Sequence, residues 1–366
     1  MTNQCSVCFI AINAYPVLKK NNTFIGGAEL QQSLIGVELA RRGHPIKFIT
    51  MDHGQGPFEK LGQIDVFSTF KPKQSANNIF SLFTKYLKIW MAMEKANADI
   101  LYVRCAGYVL AIAVIWARLK KRKAVYCCAN DPEFDPQKVK LPTLRDKHMF
   151  SWGLRNCDAI IVQNALQRSI LKQYYNRVGV LIPNGFPASE QMASPENILW
   201  VATFKKAKQP HLFIELAKRH PEQKFVMVGG PVSNNGADYT SLKNEASQIS
   251  NLRFCGPLSF EDAEKEFSKA KILVNTSSNE GFPNTFLQAW RKGVPVLAFL
   301  DPDDRIRDNK LGYVAKNFDD MNNKLDSFLQ NDEISSKIIS DFFQKNLTIE
   351  SIVSQYQVFF NTLIKP

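Results

Sequence analysis

The segment Asn275-Thr276-Ser277-Ser278-Asn279-Glu280-Gly281-Phe282-Pro283-Asn284-Thr285-Phe286-Leu287-Gln288-Ala289-Trp290 gathers small polar residues, one carboxylate and a Gly-Phe-Pro turn directly after an apolar run. The pattern reads as a strand that ends in polar residues and leads into a helix whose first N–H groups open toward a ligand. Gln288 follows Glu280 by eight positions, about two helical turns if the helix began at once, so both side chains could face one elongated ligand. A glutamate at this place also serves simply as a partner of the helix dipole.

Two further segments could carry chemistry. In Trp200-Val201-Ala202-Thr203-Phe204-Lys205-Lys206-Ala207-Lys208-Gln209-Pro210 three lysines follow an apolar run and precede a helix. Open α/β sheets bind ligands at such strand ends, where lysines could neutralise a diphosphate leaving group. The other reading of this segment is a solvated basic turn. Phe24-Ile25-Gly26-Gly27-Ala28-Glu29-Leu30 places paired glycines before a helix that should run to Arg42. Glycines there let backbone N–H groups approach an anion or a sugar, with the helix N-terminus adding about half a positive charge. The spacing is not Gly-x-Gly-x-x-Gly, and a bare Gly-Gly also makes a plain tight turn.

The elements that must position these residues follow from apolar periodicity. Strands are expected at 7–12, 46–50, 64–67, 100–104, 124–128 and 159–162, and again at 198–202, 225–228, 252–254, 272–275 and 296–299, with helical patterns between them. Such alternation predicts parallel sheets. The pattern restarts after Asn184-Gly185-Phe186-Pro187, and Pro187 to Glu196 is a polar, proline-containing stretch. Two doubly wound α/β domains are therefore predicted, 1–187 and 188–348, facing across a cleft, with a C-terminal helix over 349–366 that could complete the first.

Composition bounds the rest. With 366 residues, 45% hydrophobic and 22% charged, the chain is long enough for two cores and too apolar for disorder. The longest uncharged apolar run, Tyr108 to Ala117, has ten residues, whereas a membrane span needs about 20. The N-terminus lacks a basic region and a cleavage site of secretory type. Seven cysteines, an odd number, suit a reducing compartment, and a cytoplasmic location is expected. Cys5 and Cys8 form a Cys-x-x-Cys, but within a strand their side chains point to opposite faces. The five histidines (44, 53, 148, 211, 220) show no paired ligand spacing, so no metal is expected.

Taken in order, Gly-Gly-Ala-Glu, Trp-Val-x6-Lys-x-Pro, Val228-Gly229-Gly230 and Glu-Gly-Phe-Pro-Asn-Thr-Phe-Leu-Gln-Ala-Trp resemble a retaining glycosyltransferase of the GT-B fold, close to the family-4 glycosyltransferases. The resemblance spans nearly the whole chain. It implies that Glu280, the first acid of a Glu-x7-Glu element, holds donor-sugar hydroxyls, and that Gly281, Phe282, Pro283, Asn284 and Thr285 form the turn around the donor sugar and phosphates. It further implies that Gly26 and Gly27 approach the donor from the first domain and that Lys208 pairs with the diphosphate without a metal. No cofactor follows from it, the nucleotide-sugar being a substrate.

Three features depart from the family pattern. Gln288 replaces the second acid, so a contact to the nucleotide ribose keeps an acceptor but loses charge. Thr203 stands where an arginine usually joins the lysine, leaving Lys205 or Lys206 to substitute as point charges. Asn130 and Asp131 occupy the loop where many relatives carry a histidine facing the sugar. These departures keep a non-catalytic accessory subunit open beside the transferase, as well as a GT-B epimerase or hydrolase.

Charge is uneven: residues 1–190 hold 25 Lys and Arg against 13 Asp and Glu, and the remainder hold 21 of each. The first domain usually binds the acceptor in this fold. The segment 79–96, with Lys85, Lys88 and Lys95, and the cluster Arg118, Lys120, Lys121, Arg122 and Lys123 would suit contact with an anionic membrane carrying a lipid-linked glycan. The basic half alone would also suit nucleic acid, but that reading leaves the Glu280 segment unexplained, and no nucleic-acid partner is expected. The function expected is sugar transfer from a nucleotide-sugar to a glycan or lipid-linked acceptor in cell-surface polysaccharide synthesis.

Overall fold

The structure, a computed structural model, describes residues 4–20, 26–72, 79–189, 191–231, 236–331 and 334–365. Phe24, Ile25 and Glu190 of the segments above lie outside these residues. The chain divides into two compact units, residues 1–185 with 349–366, and residues 186–348.

The first unit is built on an eight-stranded sheet of β1 (Val7–Ile10), β2 (Ile46–Thr50), β3 (Phe58–Leu61), β4 (Ile64–Ser68), β5 (Ile100–Arg104), β6 (Lys123–Cys127), β7 (Ala159–Val162) and β8 (Val180–Leu181). The strand order is β3-β4-β2-β1-β5-β6-β7-β8, and the pairings are parallel except for the β3–β4 hairpin. Central strands β1 and β5 are buried at every residue, as apolar runs covered by helices on both faces require. The helices of this unit are α1 (Tyr15–Leu18), α2 (Gly27–Arg41), α3 (Ile79–Ala96), α4 (Val109–Leu119), α5 (Leu144–Asn156) and α6 (Ala165–Tyr175).

Two separate apolar layers hold this sheet. Cys8 belongs to the layer packed by α3 to α6, and Cys5 to the opposite one with α2, so the Cys-x-x-Cys is split across the sheet as its spacing predicts. In the second layer Phe9 stacks on Phe48 with ring centroids 5.0 Å apart. Helix α2 crosses above them through Gly36, where an added Cβ would lie 2.7 Å from the Phe48 ring.

The second unit carries a six-stranded parallel sheet of β9 (Asn197–Val201), β10 (Phe225–Val228), β11 (Leu252–Gly256), β12 (Ala270–Asn275), β13 (Val296–Ala298) and β14 (Gly312–Val314), ordered β11-β10-β9-β12-β13-β14. Its helices are α7 (Pro210–Arg219), α8 (Gly236–Ser247), α9 (Phe260–Phe267), α10 (Asn284–Trp290), α11 (Arg305–Asp308), α12 (Phe318–Gln330) and α13 (Ser336–Asn346). The last helix, α14 (Ile349–Ile364), returns to the first unit. There Tyr356 and Tyr102 share a buried hydroxyl contact of 3.1 Å, and Arg42 donates to Glu350 O, Ser354 Oγ and Gln357 Oε1.

Strands β3, β8 and β14 were not expected from the sequence. β3 alternates exposed and half-buried residues at a sheet edge, β8 is two exposed residues, and β14 opens on a glycine. The basic cluster after α4 also differs from expectation. Lys120 pairs with Glu94 at 2.9 Å, Lys123 with Asp158 at 3.3 Å, and Arg122 with Asp99. Acids distant in sequence thus neutralise most of a cluster that reads as free cations.

Candidate active site

The carboxyl ends of adjacent strands β9 and β12 launch the two loops that carry Lys208 and Glu280. Side chains lock these loops together. Trp200 Nε1 donates to Thr276 Oγ1 at 2.9 Å, the Thr276 hydroxyl donates to Lys208 O at 2.6 Å, and Ser278 N donates to Ala207 O at 2.8 Å. Gln209, at φ 45°, turns the first loop into α7, which Pro210 opens. The left-handed residue and the proline together fix where Lys208 leaves the backbone.

Lys208 Nζ donates to Glu280 Oε1, which also accepts from Ser277 Oγ at 2.9 Å. The two side chains are 20% and 12% exposed, largely sheltered yet open enough for a ligand to reach them. Phe282, two residues on, is buried. The Arg305 guanidinium lies 5.3 Å from its ring centroid. Arg305 opens α11 at the end of the loop leaving β13, the strand beside β12, and burial pushes its guanidinium below the ordinary arginine range. Its Nε has no hydrogen-bond partner among the described residues, and Asp303 Oδ2 stands 3.8 Å from its Nη2. That loop holds two successive left-handed aspartates, Asp303 and Asp304, at φ 56° and 55°.

Helix α10 begins at Asn284, four residues after Glu280, with Pro283 at its N-cap. Gln288 is therefore one turn into the helix and not two. Its side-chain amide donates to Glu264 Oε1 at 2.8 Å, in a cluster that Arg291 and Lys292 also join. Pro283, Asn284 and Thr285 form the start of α10, and Gly281 leads into it. Thr203 is half-buried, while Lys205 and Lys206 are exposed on the same loop as Lys208.

The first unit presents its own set at strand carboxyl ends. Gly26 is the N-cap of α2 and Gly27 its first residue. A Cβ on Gly26 would lie 2.1 Å from Glu29 Oε2, so the bare glycine lets the Glu29 carboxylate fold back over the helix start. Asn130 is exposed, whereas Asp131 Oδ1 accepts from Asn164 Nδ2 at 3.0 Å and Gln167 Nε2 at 2.9 Å. In the same loop the sequence reading missed Glu133. Its buried carboxylate accepts from Tyr126 Oη at 2.6 Å and Ala129 N at 2.9 Å, and burial holds its pKa above the ordinary value. Glu133 and Arg305 were both missed; the signal for the second was the Asp301-Pro302-Asp303-Asp304 turn just beyond a strand.

Two Rossmann-like parallel-sheet units define the GT-B class. The second unit matches the model of glycosyl transferases group 1 over residues 186–342, and the first matches that of glycosyltransferase family 4 over residues 25–190. The chain belongs to the GT-B glycosyltransferases of this group 1 and family 4 type and is a transferase. It is 20% identical over 351 residues to an uncharacterised glycosyltransferase of Haemophilus influenzae, covering 91% of this chain and 95% of that one. Among solved structures it resembles sucrose-phosphate synthase of Thermosynechococcus elongatus with a TM-score of 0.78, 16% identity and coverage of 98% and 99%. It also resembles Anabaena HepE in complex with UDP-glucose, with a TM-score of 0.75, 15% identity and coverage of 98% and 100%.

Proposed function

We propose that this chain transfers a sugar from a nucleotide-sugar to a glycan or lipid-linked acceptor in cell-surface polysaccharide synthesis, with retention of anomeric configuration and without a metal. The observation that carries the reading is the sheltered Lys208–Glu280 pair at the carboxyl edge of a parallel sheet. The likeness to a structure holding UDP-glucose supports the donor class.

On this reading Lys208 exchanges Glu280 for the donor diphosphate and neutralises the charge that grows on the leaving phosphate. The freed Glu280 carboxylate accepts hydrogen bonds from sugar hydroxyls and offsets the positive charge of an oxocarbenium-like transition state. Ser277 keeps that carboxylate oriented through the exchange. Lysine charge does the work a metal would do. On the first unit, Asp131 holds the loop that carries Asn130.

No helix among the described residues is long and apolar enough to cross a membrane. We place the enzyme in the cytoplasm, drawn to an anionic membrane face by its basic first unit. The test is product analysis by proton NMR after incubation with nucleotide-sugars and lipid-linked oligosaccharides in EDTA. A new linkage with the donor's anomeric configuration supports the proposal; inversion, or transfer that requires a divalent metal, contradicts it.

A further inference from the structure

Helix α3 is apolar on two opposite sides. Ile89, Ala92, Met93 and Ala96 enter the core of the first unit. Phe80, Phe83, Leu87 and Met91, on the other side, are 77%, 64%, 46% and 49% exposed. At about 100° and 1.5 Å per residue these four lie within an arc of about 80° along about 16 Å of helix. Single exposed apolar residues are ordinary, but four in line form a patch that marks an interaction surface.

The charges beside the stripe select its occupant. Lys88 and Lys95 lie along one edge of it, and half-buried Trp90 lies along the other. Helices α3, α4 and α5 pack side by side and together carry seven Lys and Arg against two acids. Of the acids, Glu94 lies on the line of the stripe one turn beyond Met91, 39% exposed and paired with Lys120 and Trp116 Nε1, and Asp146 is buried against Arg145. The cores of protein interfaces are depleted in lysine. An apolar stripe edged by lysines and an aromatic ring instead matches the boundary of an anionic bilayer.

We infer that α3 docks this protein onto anionic lipid, with Phe80, Phe83, Leu87 and Met91 entering below the headgroups and Lys88 and Lys95 meeting lipid phosphates. The docking element is thus the stripe of α3 and not the cluster at 120–123, whose cations are largely paired. The inference deepens the proposed function by naming where the first unit meets the surface that holds the acceptor, but its geometry does not depend on donor chemistry.

The test is co-sedimentation of the full chain with phosphatidylcholine vesicles, with and without phosphatidylglycerol. Binding is expected only with the anionic lipid. Phe83→Ser with Leu87→Ser should weaken it at least about tenfold at unchanged melting temperature. Lys88→Gln or Lys95→Gln should each weaken it about fivefold. Unchanged vesicle binding in the stripe variant overturns the inference. So does a dimer in solution that the stripe variant converts to monomer, because a second copy would then be the occupant. Nucleotide binding by the same variants, measured by calorimetry, separates a failed docking surface from a failed donor reading.

Discussion

Replacing Glu280 with glutamine removes one negative charge and almost nothing else. In the structure Oε1 accepts from Lys208 Nζ and Ser277 Oγ, and an amide oxygen can keep both contacts. Hydrogen bonds to charged groups contribute about 1.5–3 kcal/mol, against about 1 kcal/mol between neutral ones. The loss where the carboxylate faces a cationic transition state is therefore about 1–2 kcal/mol, or about 5- to 30-fold in kcat. The ground state responds differently. Lys208 no longer has a charged competitor for the donor diphosphate, so KM should stay level or fall. Steady-state transfer assays with purified Glu280→Gln resolve this split. Full kcat would refute the reasoning, and so would a raised KM at constant kcat, which would make Glu280 a uniform binding group.

Three further outcomes are expected. Arg305→Ala should lower kcat/KM about 5- to 30-fold through loss of a desolvated stacking contact on Phe282 worth about 1–2 kcal/mol, and Arg305→Lys should not restore it, since an ammonium lacks the planar face; equal rates in all three proteins would refute this. Burial raises the Glu133 pKa in the folded state, so its contribution to stability is greatest below the ordinary carboxylate pKa and is lost as pH rises through the folded value. Denaturant titrations should accordingly show Glu133→Gln gaining on the native protein as pH rises across that window, and parallel pH profiles would contradict the assignment. Gly36→Ala should destabilise the first unit by about 1–2 kcal/mol, because overpacking against Phe48 outweighs the improved helix propensity; a raised melting temperature would show that the ring yields.

What could be read in the sequence was whatever a short window contains. Strands such as Ile100–Arg104 and Phe225–Val228 are runs buried on both faces, and their apolar residues announce them. The edge strands Val180–Leu181 and Gly312–Val314 exist because a neighbour supplies hydrogen bonds, and no local composition encodes a neighbour. The same division applies to the site. Glu280 and Lys208 stand out by type and by position after a strand, yet their pairing joins residues 72 apart and needs β9 beside β12. Arg305 acquires its meaning only when β13 pairs with β12 and brings it over Phe282. Lys120 to Lys123 read as a free basic surface because Glu94, Asp99 and Asp158, which neutralise three of its four cations, come from other segments.

In the proposed function Lys208 and Glu280 mark the site of a nucleotide-sugar donor held without a metal. Calorimetric titration of the native protein and Lys208→Met with UDP, GDP, ADP, CMP and dTDP, each in EDTA, tests it most directly. Saturable binding of one nucleotide to the native protein is expected, with a loss of at least about tenfold in Lys208→Met, the cost of one charge-assisted contact to phosphate. Absence of binding to all five, or equal affinity in the lysine variant, would contradict it.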